Sequence, residues 1–520
     1  MALLHLVGFV ALVWDHSSKS GPRNNPGSSP QPGSSFIWGH EKQAFDEPAG
    51  SFYGRWFNAF GPAFKIDGAL GFGEILVLAD PGALAHIYIR KTYDYTHSHY
   101  FRPLIDRLLG KSLVWVEGAE EHPKMRRMLT PIFSAESIKQ YRNDIVESAH
   151  RLEHKLSEHV IANDRSATVN ALDWTWRVTL DIIGRVGFNH DFECGESAEA
   201  KAIAKAWKEQ VGLGMDIGGL LAPSVFRAFP FITDLPISVI QAQGEIKVIV
   251  RKLAEQLVHN EGKLSQGKDL LSVLIRENAA NGYGETSDQL LDHITTFVMV
   301  GHETVAGTLN YTLWELARHP EVQDKLRKEL LAFNGETTWE ELNGPSLSYL
   351  DAVLKEVLRV WPPSAHTEKV AEHDDVIPLK LPVRGSDGNL IDSVPVKAGQ
   401  VIYIPSIAVN RLNSVWGDGD KFRPERWIEA DGLPPASSLN LGWSHIFSFS
   451  QGPRNCIGFR MAIYEWKIIM LTLLRRFVLH DTGADIHSKF SATLQPRING
   501  RENEGPNLPV LVTLLDDADS

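Results

Sequence analysis

Near its C-terminal end the chain carries Phe449-Ser-Gln-Gly452-Pro-Arg454-Asn-Cys456-Ile-Gly458, the pattern F-x-x-G-x-R-x-C-x-G. At about 5% per residue type, a chance match is expected in on the order of 10⁻⁴ of chains this long. A lone cysteine in a glycine-rich loop is more often an inert buried thiol; the other fixed positions favour a metal ligand. A ligating thiolate must receive backbone N–H groups and be screened from water. Gly452 and Gly458 let backbone approach the sulfur and its metal closely. Phe449 can wall off the sulfur, and Arg454 can pair with a carboxylate on a cofactor. These requirements match a thiolate on ferric haem, where the sulfur pushes electron density onto iron and favours O–O cleavage.

The rest of the composition narrows the alternatives. Cys194 and Cys456 are the only cysteines, too few for a disulfide framework or a thiol zinc site. Cys194, in DFECGES, lacks comparable surroundings and reads as structural or incidental. So few cysteines fit a reducing compartment. A net charge of −12 gives no domain-scale basic face, so nucleic-acid binding is not expected. The 520 residues, 43% hydrophobic, can bury a large core. Ala2 to Trp14 is apolar but short of the roughly 20 residues that span a bilayer. Lys19 and Arg23 after it favour a cytoplasmic placement for the rest of the chain. It reads as a short membrane anchor or a greasy tail. A Pro/Gly/Ser-rich linker then runs to Ser35. The division is thus residues 1–35 as anchor segment and linker, and 36–520 as one catalytic domain, with no internal repeat.

Periodicity makes that domain mainly α with a minor β part. Ala63 to Asp67 and Glu74 to Leu78 read as strands around a glycine-rich turn. Ser137 to Ile161, Asp173 to Val186, Ile237 to Leu264 and Leu270 to Arg276 carry apolar residues at helical spacing. The longest helix should run from Ser287 to His319, opened by a Thr286–Gln289 capping box and stopped by Pro320. Another runs from Ser348 to Val360, ended by Pro362-Pro363. Asp375 to Ile404 has strand and turn character, Asn410 to Gln451 is irregular, and a last helix spans Phe459 to Phe477.

At the Cys456 loop the sequence resembles the cytochrome P-450 family, and the resemblance extends over Phe36 to Leu514. Gly54 to Pro81 and Gly118 to Ser134 look most like its fungal microsomal members. The resemblance implies a single large haem-thiolate monooxygenase fold, with the long central helix over a haem b (heme b) whose iron is held by Cys456. It implies a buried triad of Glu356, Arg359 and Arg426, drawn from LKEVLRVWPP and FRPERW, that holds the Cys loop. Val300-Gly301-His302-Glu303-Thr304 resembles the oxygen-activating motif. Gly301 would open the helix for dioxygen, at a cost of about 1 kcal/mol relative to Ala. Thr304 would hydrogen-bond at the oxygen site, and Glu303 would relay protons from solvent. The bland alternative is a packing glycine and a solvated acid. The family usually has Ala or Gly where Val300 stands, so a tighter pocket is expected there. His122 and Arg126, in HPKMR, and Lys369 match propionate-binding positions, although Lys lacks the two-pronged geometry of Arg.

Substrate contacts are implied in Tyr95 to Val116, near Ser364 to Thr367 and near Phe490 to Thr493. The apolar Phe101, Leu104, Ile105, Leu108 and Leu109 point to a lipophilic small molecule, or simply to core. The chain carries no flavin or nicotinamide domain, so electrons should come from NADPH through a separate flavoprotein reductase. Lys124, Arg127, Arg460 and Lys467 are expected to form its docking face. The resemblance therefore implies a monooxygenase using O2, at the cytoplasmic face of the endoplasmic reticulum, with secondary metabolism such as terpenoid oxidation as one setting. Two other readings stay open: a haem-thiolate isomerase, lyase or dehydratase, and a non-catalytic haem-binding protein.

Overall fold

A computed structural model describes residues 34–515, apart from 36, 216, 230–231, 233–244, 259–266, 285, 386 and 492. The N-terminal apolar stretch lies outside the described residues. Among those described, no helix is long and apolar enough to cross a membrane.

The principal helices are α1 (Glu121–Leu129), α2 (Arg142–Ala162), α3 (Ala171–Phe188), α4 (Ala198–Met215), α5 (Ile217–Ala228), α6 (Glu245–Val258), α7 (Leu270–Asn281), α8 (Ser287–Arg318), α9 (Pro320–Ala332), α10 (Ser348–Val360) and α11 (Phe459–Leu474). The strands are β1 (Ala63–Asp67), β2 (Glu74–Leu78), β3 (Tyr95–Thr96), β4 (Ser166–Asn170), β5 (Thr367–Ala371), β6 (Asp375–Arg384), β7 (Leu390–Val396), β8 (Val401–Ile404), β9 (Phe477–Asp481), β10 (Ile486–Phe490), β11 (Leu494–Ile498) and β12 (Pro509–Leu514).

Helix α8 organises the molecule. Its 32 residues extend roughly 48 Å at 1.5 Å per residue. The predicted capping box is present: Gln289 N donates to Thr286 Oγ1 at 3.3 Å and Thr286 N to Gln289 Oε1 at 2.9 Å. Two first-turn donors are thereby satisfied. From Leu291 onward the helix is buried on nearly every face, packed most extensively along α3. Apolar residues fill much of its surface, and the buried Thr295, Thr308 and Thr312 satisfy their hydroxyls on the carbonyl four residues back.

A five-stranded sheet, in order β1-β2-β8-β5-β3, carries a second, smaller core. The β1–β2 hairpin has the boundaries read from sequence, closed by Gly68 N donating to Gly73 O at 2.7 Å. Strands β4, β12 and β9 form a three-stranded sheet, and β6–β7 and β10–β11 are separate hairpins.

Two expectations are corrected and a third is seen in part. The single helix over Ser137 to Ile161 is two, Ala135–Gln140 and α2, broken at Tyr141. The last helix stops at Leu474, and Phe477 opens strand β9 opposite Leu514. An apolar run such as FVL suits strand as well as helix, and pairing with β12 decides it. Of the helix expected over Ile237 to Leu264, the structure describes α6, and the remainder of that stretch lies outside the described residues.

Candidate active site

The Cys456 loop is fixed by its own backbone. Gly452–Arg454 makes one 3-10 turn, Asn455 N donates to Gly452 O at 3.1 Å, and Cys456 N donates to Phe449 O at 2.9 Å. Helix α11 then starts at Phe459. Burial pushes the Cys456 thiol up, while the Gly458 N–H on sulfur and the Arg126 charge pull it down. Its side chain is accessible yet lies deep in the molecule, so it lines an interior hollow. Cys194 differs: it is 0% exposed, and burial pushes its thiol up to about 11. It is unfit to ligate.

The two loop glycines differ in what surrounds them. Gly452 has φ +70°, and a Cβ there would lie 2.0 Å from Tyr88 O. It makes room for neighbouring backbone rather than for the sulfur. A Cβ on Gly458 would meet only Phe133, at 3.6 Å, an ordinary contact. The Phe449 ring packs against Phe459 (5.9 Å between centroids) and Trp443 (5.5 Å). Trp443 lies six residues before Phe449, outside the motif.

The expected triad is present and fully buried. Glu356 accepts from Arg359 Nε at 2.9 Å and Nη2 at 2.8 Å, and from Arg426 Nε at 3.0 Å. Trp427 Nε1 and Arg423 N also donate to it, at 3.0 and 2.8 Å. Its route to the Cys loop is short. Arg359 Nη1 donates to Asn410 O at 3.1 Å; Asn410 accepts from Phe447 N at 2.7 Å and donates to Ser448 Oγ at 2.9 Å. Phe449, which receives the Cys456 N–H, is the next residue.

Cations gather beside this loop. Arg126 donates to Asn455 O at 2.7 Å and Oδ1 at 2.6 Å. Arg454 donates to Val116 O at 3.0 Å and pairs with Glu117, which also takes His97 Nδ1 at 2.6 Å. Lys369 is 4% exposed, and burial pulls its amine down to about 8. His122 sits 3.1 Å from Tyr93 Oη; burial, then Arg454 and Arg126, hold its imidazole down at about 4. Arg102 adds a further charge near Arg454 and was not singled out from sequence. Arg102 Nε and Arg454 Nε are both buried without a partner. Arg102, Arg126, Arg454 and Lys369 against the Glu117 carboxylate leave a surplus of positive charge that the two propionates of haem b would neutralise. The residues present therefore fit that group.

On α8 the motif residues diverge. Val300 is 38% exposed and Thr304 is half-buried one turn on, while His302, Glu303 and Val305 between and after them are buried. Thr304 Oγ1 donates to Val300 O at 2.8 Å. A Cβ on Gly301 would meet Ile183 of α3 at 3.2 Å, so this glycine serves close helix packing. Glu303 turns to the β10–β11 hairpin, accepting from Thr493 and Gln495, and is pushed up to about 7 by burial, against those two hydrogen bonds. It is not solvated. Phe297, one turn before Gly301, meets Phe133 edge-on at 5.2 Å, which joins α8 to the Gly458 side of the Cys loop.

Two of the expected substrate segments meet: His366 lies 3.8 Å from Phe490 and 4.8 Å from Tyr403 between ring centroids. In the third, Ile105 and Leu109 belong to the main core, while Phe101, Leu104 and Leu108 are half-buried. Of the expected basic face, Lys124, Arg127 and Arg460 are exposed. Lys467 is not part of it: it is 1% exposed and holds Asp351 at 2.6 Å and Leu342 O at 2.7 Å. Helical spacing put Lys467 near Arg460, but its amine is taken inward by Asp351 of α10 and by the Leu342–Asn343 turn.

The family model for Cytochrome P450 matches residues 29–499. Cytochrome P450 monooxygenase claU of Ampulloclitocybe clavipes is 30% identical over 499 residues, covering 92% of this chain and 91% of the relative. Cytochrome P450 monooxygenase claP of the same fungus is 30% identical, with 90% and 89% covered. Cytochrome P450 monooxygenase 205 of Postia placenta is 30% identical over 517 residues, with 94% and 92% covered. With a thiolate loop, a cationic cluster suited to propionates and a mainly α fold around one long helix, the chain belongs to the cytochrome P450 family, haem b monooxygenases that bind iron through a cysteine thiolate.

Proposed function

We propose that this monooxygenase inserts one oxygen atom from O2 into a lipophilic small molecule, with electrons from NADPH delivered by a separate flavoprotein reductase. Haem b on Cys456 would supply the oxygen-activating chemistry. Arg126, Arg454, Lys369 and His122 would hold its propionates, and the Phe449–Phe459–Trp443 aromatics would screen the sulfur from water. Thr304 would orient a proton at the oxygen site, and Glu303 would supply it. Lys124, Arg127 and Arg460 would receive an acidic reductase, with the N-terminal apolar segment holding the chain at the cytoplasmic face of the endoplasmic reticulum. A terpenoid or other secondary metabolite suits the half-buried apolar side chains of Phe101, Leu104 and Leu108.

The observation that carries this reading is the surplus of half-buried and buried cations tied to the Cys456 loop, accompanied by an acid and an alcohol at adjacent positions of α8. The test is a titration of the purified ferric protein with terpenoid, fatty-acid, steroid and aromatic panels. A saturable spin-state shift, followed by product formation that requires NADPH and reductase, is expected. Product formed from a shifting ligand without reductant would instead establish an isomerase, lyase or dehydratase.

A further inference from the structure

Glu303 precedes Thr304 on α8, yet its carboxyl reaches across to the β10–β11 hairpin. Oε1 accepts from Thr493 Oγ1 at 2.6 Å and from Gln495 Nε2 at 2.8 Å. Gln495 Nε2 also donates to Thr493 Oγ1 at 2.7 Å, closing a triangle. All three residues are 6% exposed. No cation joins them among the described residues: burial, Thr493 and Gln495 are what bear on the carboxyl. The adjacent His302 faces away, with Trp176 and Trp207 beside its ring. The hairpin is itself anchored, since Leu494 N donates to Pro363 O at 3.0 Å and Ser491 Oγ to Val211 O of α4 at 3.2 Å.

We propose that Thr493 and Gln495 are positioning residues for proton delivery: they fix the Glu303 carboxyl on the hairpin and dictate which of its oxygens carries the proton. This rests on Glu303 being the proton relay. An Oε1 that accepts two hydrogen bonds leaves the proton of the neutral acid to Oε2, so the clamp selects the donating oxygen. A relay must also release and regain its proton near the working pH. Burial alone favours the neutral acid, and the two donors oppose that by stabilising the carboxylate. The hairpin therefore both aims the acid and keeps it able to ionise.

The experiment compares wild type with Thr493→Val, Thr493→Ser, Gln495→Leu and Glu303→Gln. The Glu303 carbonyl stretch, identified in the ferric protein by its loss in Glu303→Gln, is titrated by infrared difference spectroscopy. Peroxide leakage per NADPH is measured in parallel with the reductase. In Thr493→Val the protonated band should persist to a pH about one unit higher, with Thr493→Ser close to wild type. Leakage should rise several-fold in the Val and Leu variants. An unmoved band in both would overturn the clamp, even if Glu303→Gln raises leakage and so upholds the relay. A shifted band with unchanged leakage in Glu303→Gln would overturn the role in proton delivery, because Glu303 would then not be the relay.

Discussion

Replacing Glu356 with Gln keeps the side-chain volume and removes the one negative charge between two buried guanidinium groups. Five donors converge on its two oxygens: Nε and Nη2 of Arg359, Nε of Arg426, Nε1 of Trp427 and the Arg423 N–H. A glutamine offers one oxygen, and its amide nitrogen points donors at donors. The loss is unequal. Arg426 keeps Asp418 at 2.9 Å, whereas Arg359 keeps only the carbonyls of Asn410, Gly419 and Lys421. Breaking a buried ion pair while leaving one partner costs about 3–5 kcal/mol. At roughly 2 °C per kcal/mol for a chain of this length, the melting temperature should fall by about 6–10 °C. Because Arg359 reaches the Cys loop through Asn410, the reduced carbon monoxide spectrum should also lose thiolate character. The cycle is completed with Arg359→Met alone and with both changes together. If the charge argument holds, Arg359→Met costs much less in the Glu356→Gln background than in wild type, since it removes an already unpaired cation. A loss below about 1 kcal/mol for Glu356→Gln, or additive single effects, would refute it.

Gly452→Ala places a Cβ on Tyr88 O in a left-handed backbone and should cost more than about 2 kcal/mol, seen as a lowered melting temperature with loss of the thiolate spectrum. Glu303 gives a pH-dependent prediction. Its folded value near 7 lies above the ordinary 4.5, so the wild-type fold loses stability as pH rises from 4.5 through 7. Glu303→Gln should therefore be the more stable protein at pH 8, by up to about 3 kcal/mol, with the gap closing towards pH 4.5. Melts at pH 5 and pH 8 check this. Lys124→Glu combined with Arg460→Glu should slow reduction by reductase at low salt, with the difference shrinking as ionic strength rises.

Local signals carried much of the architecture. Thr286 and Gln289 announce the start of α8, and the short apolar-rich runs AFKID and EILVL on either side of a glycine-rich turn set both strands to the residue. The resemblance to two family motifs, rather than E-x-x-R spacing alone, pointed to Glu356, Arg359 and Arg426, and charged residues buried on an apolar helix do find their partners in one another. What escaped was the identity of the neighbour across each face. Helical spacing places Lys467 beside Arg460's side of α11 but is silent on Asp351 and the Leu342–Asn343 turn that hold it inward. Gly452 and Gly301 are recognisable as glycines that something requires; that Tyr88 O and Ile183 do the requiring is a tertiary fact. Glu303 looks solvated in sequence because Thr493 and Gln495 lie 190 and 192 residues away.

The contrast between the two cysteines has a practical side. Burial holds Cys194 as an inert thiol, and Cys456 is the one whose sulfur lines the interior hollow. A folded chain thus presents a single addressable sulfhydryl, and cofactor insertion would consume it. Alkylating reagents then count molecules lacking cofactor, and the loaded protein has no accessible thiol to offer an oxidant.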